Sequence, residues 1–197
     1  MRRFILLALL CCSLIAFVAT EAGAWRTTGQ RWQRTTISYY VGDRSLVWPV
    51  QWAAHAWSSS GANVRFVPAK SRNTAHVVVV RKQPRARSTE AGLADVTSYG
   101  NAISRAYVGL RGGLDPYQLA LVATHEFGHA LGLDHEDRSC AIMNSWITGY
   151  RPEKCNQPPA GYWWCRLLAA DDIAGAIAIY GGRARAPKQP EYCPRHS

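Results

Sequence analysis

The segment HEFGHALGLDH, residues 125–135, carries three histidines and one glutamate at spacings that suit metal chemistry. His125 and His129 are four residues apart, so on an α-helix they project from one face and can reach one metal ion. Glu126 lies about 100° further around the helix, where it can take a proton from metal-bound water without being a ligand. The spacing therefore indicates a catalytic zinc site rather than a set of packed core histidines.

The third histidine needs a turn in the chain. A catalytic zinc ion uses three protein ligands and keeps a fourth position for water. A ligand on the next helical turn would pass beyond the metal, but Gly132 can adopt a positive φ and end the helix. His135 can then return to the same ion. Five fixed positions, the three histidines with Glu126 and Gly132, are far more specific than two histidines on a helix.

The segments around this motif predict one α+β domain with a twisted sheet. A chain of 197 residues can bury one sizeable core. Residues 48–61 have the apolar spacing of a helix, and this helix would pack on the sheet. Five segments have the β-branched and apolar composition of strands: residues 35–41, 64–69, 75–82, 91–98 and 103–110.

Two further helices are predicted in the second half of the chain. The helix that carries the histidines has Asp115 as its N-cap, Pro116 at its first position and Gly132 as its stop. A final helix is predicted from Leu167 to a stop at Gly181. The residues between these helices are expected to be rich in turns.

The N-terminal residues predict an exported protein. Residues 1–24 have an arginine pair, an apolar run and a small-residue cleavage site, the layout of a secretory signal peptide. A membrane anchor is the alternative, but the apolar run is short for a span. We expect the catalytic domain to cover residues 25–182 and a basic C-terminal tail, residues 183–197, to be tethered by Cys193.

The net charge of the chain predicts only weak, nonspecific binding to other molecules. The formal net charge is +10, which favours loose association with an anionic cell-wall surface. The basic residues are spread thinly, so no specific nucleic-acid partner is predicted. We expect a monomer.

The motif resembles the zinc signature of the metzincin peptidases, and especially that of the matrixins, the family of the matrix metalloproteinases. The resemblance extends to RWQRTTISYYV, AAHAWSSSGANVRFVPA and LAADDIAGAIAIYG. It implies a metzincin catalytic domain with a twisted mixed sheet, a long active-site helix, a Met-turn and a C-terminal helix. Met143 in CAIMNS would be the methionine of the Met-turn, beneath the zinc ion.

The resemblance also implies a substrate site. The segment GLADV, residues 92–96, would form an edge strand that pairs with an extended substrate through Gly92, Leu93 and Ala94, although an ordinary edge strand is the alternative. The pocket for the residue after the scissile bond would accept an apolar side chain and would be lined by Leu121, Val122, Trp146 and Tyr150.

Four cysteines follow the signal peptide, and an exported chain favours their pairing in disulfides. Of the three pairings that four cysteines allow, we favour Cys140–Cys155, which would staple the loop after Met143, and Cys165–Cys193, which would hold the tail.

Other features have a structural interpretation or depart from the family. The dipole of the last helix explains one of the carboxylates Asp171 and Asp172, and the resemblance implies that the pair braces the Met-turn and the mature N-terminus. No motif supports a calcium ion, although the resemblance leaves one open. Glu136 replaces the usual serine, and we expect no cysteine-bearing propeptide.

The predicted function is that of a secreted zinc-dependent endopeptidase with one catalytic Zn²⁺ and a protein or peptide substrate. Glu126 would activate the zinc-bound water. Two alternatives stay open: a basic, disulfide-bonded adhesion or binding module with a structural zinc, and an amidase that acts on cell-wall peptides.

Overall fold

The computed structural model describes residues 23–82, 90–148, 151–155 and 167–185. Within these ranges, three α-helices pack with a six-stranded sheet, and two small antiparallel ribbons lie beside it. Two 3-10 helices, Arg44–Leu46 and Arg72–Thr74, connect these elements. The predicted α+β class with a twisted mixed sheet is confirmed. None of the helices in these ranges is long and apolar enough to cross a membrane.

The main sheet is mostly parallel. Its strands are β2 (Arg31–Trp32), β3 (Thr36–Val41), β4 (Arg65–Pro68), β5 (Val77–Lys82), β6 (Gly92–Tyr99) and β7 (Ala102–Arg111). Their order is β2-β7-β5-β3-β4, and β6 pairs with β7. All these pairs are parallel except β6 with β7, which is antiparallel and has a register shift between Thr97 and Ser98. β7 is the one neighbour of β6 among the described strands, and none of these strands pairs with the other edge of β6.

Two short ribbons were not predicted from the sequence. In the first, β1 (Arg26–Thr27) pairs antiparallel with β8 (Leu133–Asp134); in the second, β9 (Ile147–Thr148) pairs antiparallel with β10 (Arg151–Pro152). Strands of two residues have no periodic pattern that a sequence window can detect. Both ribbons hold loops that follow the histidine helix.

The three helices are α1 (Val47–Ser59), α2 (Pro116–Ala130) and α3 (Ala170–Tyr180). α2 begins as predicted, because the Asp115 carboxylate accepts hydrogen bonds from the backbone N–H groups of Tyr117 and Gln118, at 2.8 and 3.1 Å. This cap satisfies donors that an α-helix leaves unpaired. Gly132 has φ +95° and lies just beyond the end of α2.

α3 begins three residues later than predicted. Its start is fixed by the carboxylate of Asp172, which accepts a hydrogen bond from the backbone N–H of Ala169 at 2.8 Å. Leu167 and Leu168 are buried but precede the helix. Beyond α3, the backbone N–H groups of Arg183 and Arg185 donate to the carbonyls of Gly61 and Ser60.

The core fixes α2 against α1 and the sheet. Trp57 of α1 is fully buried, and its indole Nε1 donates to the Thr124 carbonyl at 2.9 Å. Phe127 of α2 is also fully buried and packs against the rings of Tyr39 and Phe66 from the sheet. Burial of several large side chains on one helix resists any rotation of that helix. The face of α2 that carries the histidines is therefore held in one orientation.

Candidate metal centre

Three imidazole rings meet at one point beside the C-terminal half of α2. The Nε2 atoms of His125 and His129 lie 3.1 Å apart, and the Nε2 of His135 lies 3.2 Å from that of His129 and 3.3 Å from that of His125. His125 is buried, His129 is half-buried and His135 is exposed. The structure thus brings together the three residues that the sequence predicted as ligands, in a group that could hold a metal ion.

The spacing of these nitrogen atoms fits a zinc ion. With Zn–N bonds of 2.0–2.1 Å, two ligands of a tetrahedral zinc lie about 3.3 Å apart, close to the three distances observed. Among the described residues, these histidines form the one group of three or more His, Cys, Asp or Glu side chains with ligand atoms within 4.8 Å of one another. A three-ligand set leaves one tetrahedral position for water or substrate, which is typical of catalytic zinc.

Backbone carbonyls orient two of the rings. The Nδ1 of His125 contacts the Ile142 carbonyl at 2.7 Å, and the Nδ1 of His129 contacts the Leu133 carbonyl at 3.0 Å. A carbonyl can only accept, so each Nδ1 carries the proton and each Nε2 presents its lone pair to the metal. Burial lowers the pKa of His125 to about 3 and also lowers the pKa of His129. Both imidazoles are therefore neutral, the form that binds metals.

The turn that delivers His135 depends on Gly132. Its N–H donates to the His129 carbonyl at 2.9 Å, and its carbonyl accepts from the Thr28 N–H at 2.9 Å. A Cβ atom at this position would overlap the backbone carbonyl oxygen of Gln30. Both the positive φ and the close approach therefore require glycine here.

Met143 lies in the turn beneath the histidines. It is 2% exposed, and a Cβ atom added to Gly128 of α2 would overlap its Sδ atom. The buried Asp172 carboxylate accepts from the backbone N–H groups of Ile142 and Met143, at 2.8 and 3.2 Å. Since the Ile142 carbonyl orients His125, Asp172 supports a ligand through the backbone of this turn.

The loop after Met143 is fixed by covalent and polar contacts. Cys140 and Cys155 form a disulfide with Cα atoms 4.5 Å apart. The side chain of Asn144 is fully buried; its Nδ2 donates to the carbonyl of Ser139 at 2.9 Å, and its Oδ1 accepts from the N–H of Lys154 at 3.0 Å. The predicted pair Cys165–Cys193 lies outside the described residues.

Glu126 is buried beside the histidine cluster, with 5% of its surface exposed. Burial raises its pKa to about 8, and the nearby Lys82 acts in the opposite direction. A Cβ atom at Gly92 would overlap Oε1 of Glu126. The absence of a side chain at Gly92 therefore allows β6 to pass directly over the carboxylate.

Glu126 and the three histidines line a cavity of about 510 Å³. This size is typical of ligand sites. Of the predicted substrate-binding residues, five line it: Gly92, Leu93, Ala94, Val122 and Trp146. Leu121 does not line this cavity. It is fully buried in the core. Tyr150 lies outside the described residues.

Several lining residues were not named individually as substrate-binding residues in the sequence prediction. They are Thr28, Gln30, Glu90, Ala91, Val96, Ser145 and Ile147. The alternation of strand side chains offers a signal for Val96, since it shares a face with Gly92 and Ala94. Thr28 and Gln30 precede the first long strand, and no local pattern connects them with a motif almost a hundred residues later.

The Asp171 carboxylate accepts a hydrogen bond from the backbone N–H of Ala24 at 2.7 Å. This contact is with the last residue of the predicted signal peptide, one position before the predicted mature N-terminus. The neighbouring Asp172 contacts the Met143 turn. Neither carboxylate lines the cavity.

The family of the chain follows from comparison with known proteins. The family model described as matrixin, Peptidase_M10, matches residues 51–181. The chain belongs to the matrixin family.

Among curated proteins, matrix metalloproteinase-27 of Tupaia belangeri is 40% identical to this matrixin over 75 residues, which is 38% of this chain and 12% of that protein. Macrophage metalloelastase of Oryctolagus cuniculus is 40% identical over 79 residues, 39% of this chain and 13% of that protein. The matching segment thus covers only about an eighth of each relative.

Among solved structures, myroilysin superposes with a TM-score of 0.53 and 14% sequence identity, over 81% of this chain and 99% of that chain. The likeness at this identity concerns the fold. It agrees with the metzincin arrangement that the sequence predicted.

We expect Asp172→Ala to lower the free energy of unfolding by about 3 kcal/mol or more, because three backbone N–H groups, two of them buried, lose their acceptor. Urea unfolding measures the change. Asp95→Ala, which removes an exposed carboxylate from β6, is the control and should change stability by less than about 0.5 kcal/mol. Equal effects of the two substitutions would contradict this role of Asp172.

We expect Gly132→Ala to weaken zinc binding at least about tenfold, because it displaces the turn that delivers His135. A competition titration with a chromophoric chelator measures the affinity. Gly100→Ala is the matched control, since Gly100 has φ +59° but open space around its Cβ position. It should cost about 1 kcal/mol of stability and leave zinc affinity unchanged. A zinc affinity equal to that of the wild type in Gly132→Ala would contradict the proposed role of the Gly132 turn in placing His135.

Proposed function

We propose that this matrixin is a secreted zinc-dependent endopeptidase that hydrolyses peptide bonds in protein or peptide substrates. The observation that carries the proposal is a cluster of three histidines that could hold a metal ion, together with a buried glutamate that lines the same cavity. Membership of the matrixin family and similarity to proteins named as metalloproteinases support it.

His125, His129 and His135 would hold the zinc ion through their Nε2 atoms. When bound, zinc supplies a Lewis acid that polarises the scissile carbonyl group and lowers the pKa of water. The carbonyl contacts of His125 and His129 keep their rings in place when substrates come and go.

Glu126 is the proposed general base and general acid. Its carboxylate accepts a proton from the water that attacks the scissile carbonyl, and it then donates this proton to the leaving amine. A group that serves in both directions works best when its pKa lies near the working pH. Burial, which raises the pKa of Glu126 to about 8, moves the group towards that range.

The free edge of β6 is the proposed binding surface for an extended peptide. Backbone hydrogen bonds to such an edge provide affinity without sequence preference, and pockets for alternate side chains provide selectivity. Val122, Trp146 and Ile147 give one wall of the cavity an apolar character. We therefore expect an apolar side chain after the scissile bond.

Secretion is proposed from two features. The first 24 residues have the layout of a signal peptide. The disulfide between Cys140 and Cys155 suits an oxidising compartment outside the cytosol.

The alternatives differ in the metal site or in the substrate. An adhesion module with a structural zinc would need four protein ligands, whereas the described residues offer three in one group. A cell-wall amidase would use the same zinc chemistry, so only its substrate would differ.

Replacing Glu126 with Gln should leave zinc bound and the fold intact while it lowers kcat for casein cleavage about a thousandfold, because the proton acceptor is lost. Zinc content and melting temperature are measured alongside the rate. Glu153→Gln serves as the control, since Glu153 pairs with Lys154 at the surface and does not line the cavity. Casein cleavage at the wild-type rate by Glu126→Gln would overturn the assigned role.

The zinc-loaded protein should cleave unfolded casein and respond to a hydroxamate inhibitor, because a three-ligand site leaves a position that a hydroxamate can occupy. It should release little peptide from cell-wall sacculi under the same conditions. Release from sacculi without casein cleavage would favour the amidase, and zinc binding without hydroxamate inhibition would favour the structural site.

A further inference from the structure

A short N-terminal segment crosses one end of the cavity. We call residues 26–32 the strap. On one side of the cavity, the Thr28 N–H donates to the Gly132 carbonyl at 2.9 Å, next to the turn that delivers His135. On the other side, the Gln30 Nε2 donates to Oγ of Ser98 on β6 at 2.7 Å. The strap therefore joins the metal-binding turn to the proposed substrate-binding strand.

The strap is anchored beyond these two contacts. At one end, β1 pairs with β8. At the other, β2 pairs with β7, and the buried Trp32 donates its indole N–H to the Ala130 carbonyl at 2.7 Å. A segment held at both ends by sheet pairing and by a buried side chain loses little further entropy by staying in place. It is a fixed wall of the cavity.

The strap contributes side chains to the cavity itself. Thr28 and Gln30 are lining residues, together with Val96 of the adjacent part of β6. Among the described residues, only the strap connects the Gly132 turn and β6 by hydrogen bonds at this end of the cavity. A peptide that follows the free edge of β6 must meet the strap there.

The distance between the strap and Glu126 limits how many residues of an extended peptide can bind between them. Gly92 at the start of β6 lies against Glu126, and Ser98, which contacts the strap, comes six residues later. Six residues of strand span about 20 Å. An extended peptide advances at the same rate, so about six of its residues at most fit between Glu126 and the strap.

The direction of the strand decides which part of the peptide meets the strap. A peptide that adds antiparallel to β6 has its N-terminal part towards Ser98 and its C-terminal part towards Gly92. Antiparallel pairing is the more stable and more frequent arrangement. The strap would then bound the side that binds residues before the scissile bond.

We propose that the strap is a specificity element that ends the extended binding site no more than about six residues before the scissile bond. This inference rests on the proposed function as a peptidase. Substrate residues further towards the N-terminus must turn out of the cavity at the strap. The preferred substrates therefore have few residues before the scissile bond, or they bend away from β6 at the strap. Substrates that are extended over a longer stretch before the scissile bond bind less well.

The test is a series of peptides with a constant C-terminal half and one to nine residues before the scissile bond. We measure kcat/KM with the zinc-loaded wild-type protein, and the dissociation constant with zinc-loaded Glu126→Gln by calorimetry. Both affinity and kcat/KM should improve with added residues and stop improving by the sixth. A matched series that extends the C-terminal half should show no such stop at that length.

Two variants test whether the strap causes the limit. Gln30→Trp places a bulky side chain in the cavity and should lower kcat/KM about tenfold for peptides with four or more residues before the scissile bond, but less than twofold for those with one. Lys70→Trp is the control, because Lys70 is exposed and lies outside both the strap and the cavity. It should leave both values unchanged. Zinc content and melting temperature must match the wild type.

Each outcome decides between the hypotheses. Three results would overturn the strap proposal. Affinity and kcat/KM could continue to improve beyond six residues before the scissile bond, or the length limit could occur in the C-terminal series instead. Gln30→Trp could also lower kcat/KM equally for short and long peptides. If peptides bind with the expected length limit but none is cleaved, the peptidase function fails and the strap stands. If no peptide of any length binds, both proposals fail.

Discussion

The Nε2 atoms of three imidazole rings must be kept 3.1 to 3.3 Å apart around one point. Without a cation this arrangement is repulsive, so the surrounding chain has to impose it. α2 provides two of the rings, and the turn at Gly132 provides the third. Backbone carbonyls of Leu133 and Ile142 then fix the two helical rings. Much of the remaining structure serves to hold these backbone groups in position.

That requirement links distant parts of the chain. The Ile142 carbonyl is held by the Met143 turn, which the Asp172 carboxylate of α3 supports through two buried backbone donors. The disulfide at Cys140 fixes the following loop. On the other side, the strap supports the Gly132 turn. The same contacts that stabilise the metal centre therefore also shape both ends of the proposed substrate site.

The sequence predicted the long elements because their signals are local. The cap at Asp115, the stop at Gly132 and the apolar periodicity of α2 lie within one short window, as do the β-branched runs of β3 and β5. Shorter elements escaped prediction. The first ribbon depends on a partner far along the chain. The second ribbon and the late start of α3 at Ala170 are local, but they rest on strands of two residues and on one side-chain cap. Leu121, which the family resemblance assigned to the substrate pocket, is buried in the core and does not line the cavity.

The sequence by itself determined the candidate ligands and the proposed proton acceptor, because His125, Glu126, His129, Gly132 and His135 are related by the geometry of one helix and one turn. Only the tertiary structure decided what surrounds them. The contact of Thr28 with Gly132 joins residues 104 positions apart, and such contacts form when the whole core packs, not when a local segment folds. The walls of the cavity, and with them its length and selectivity, are therefore properties of the assembled fold.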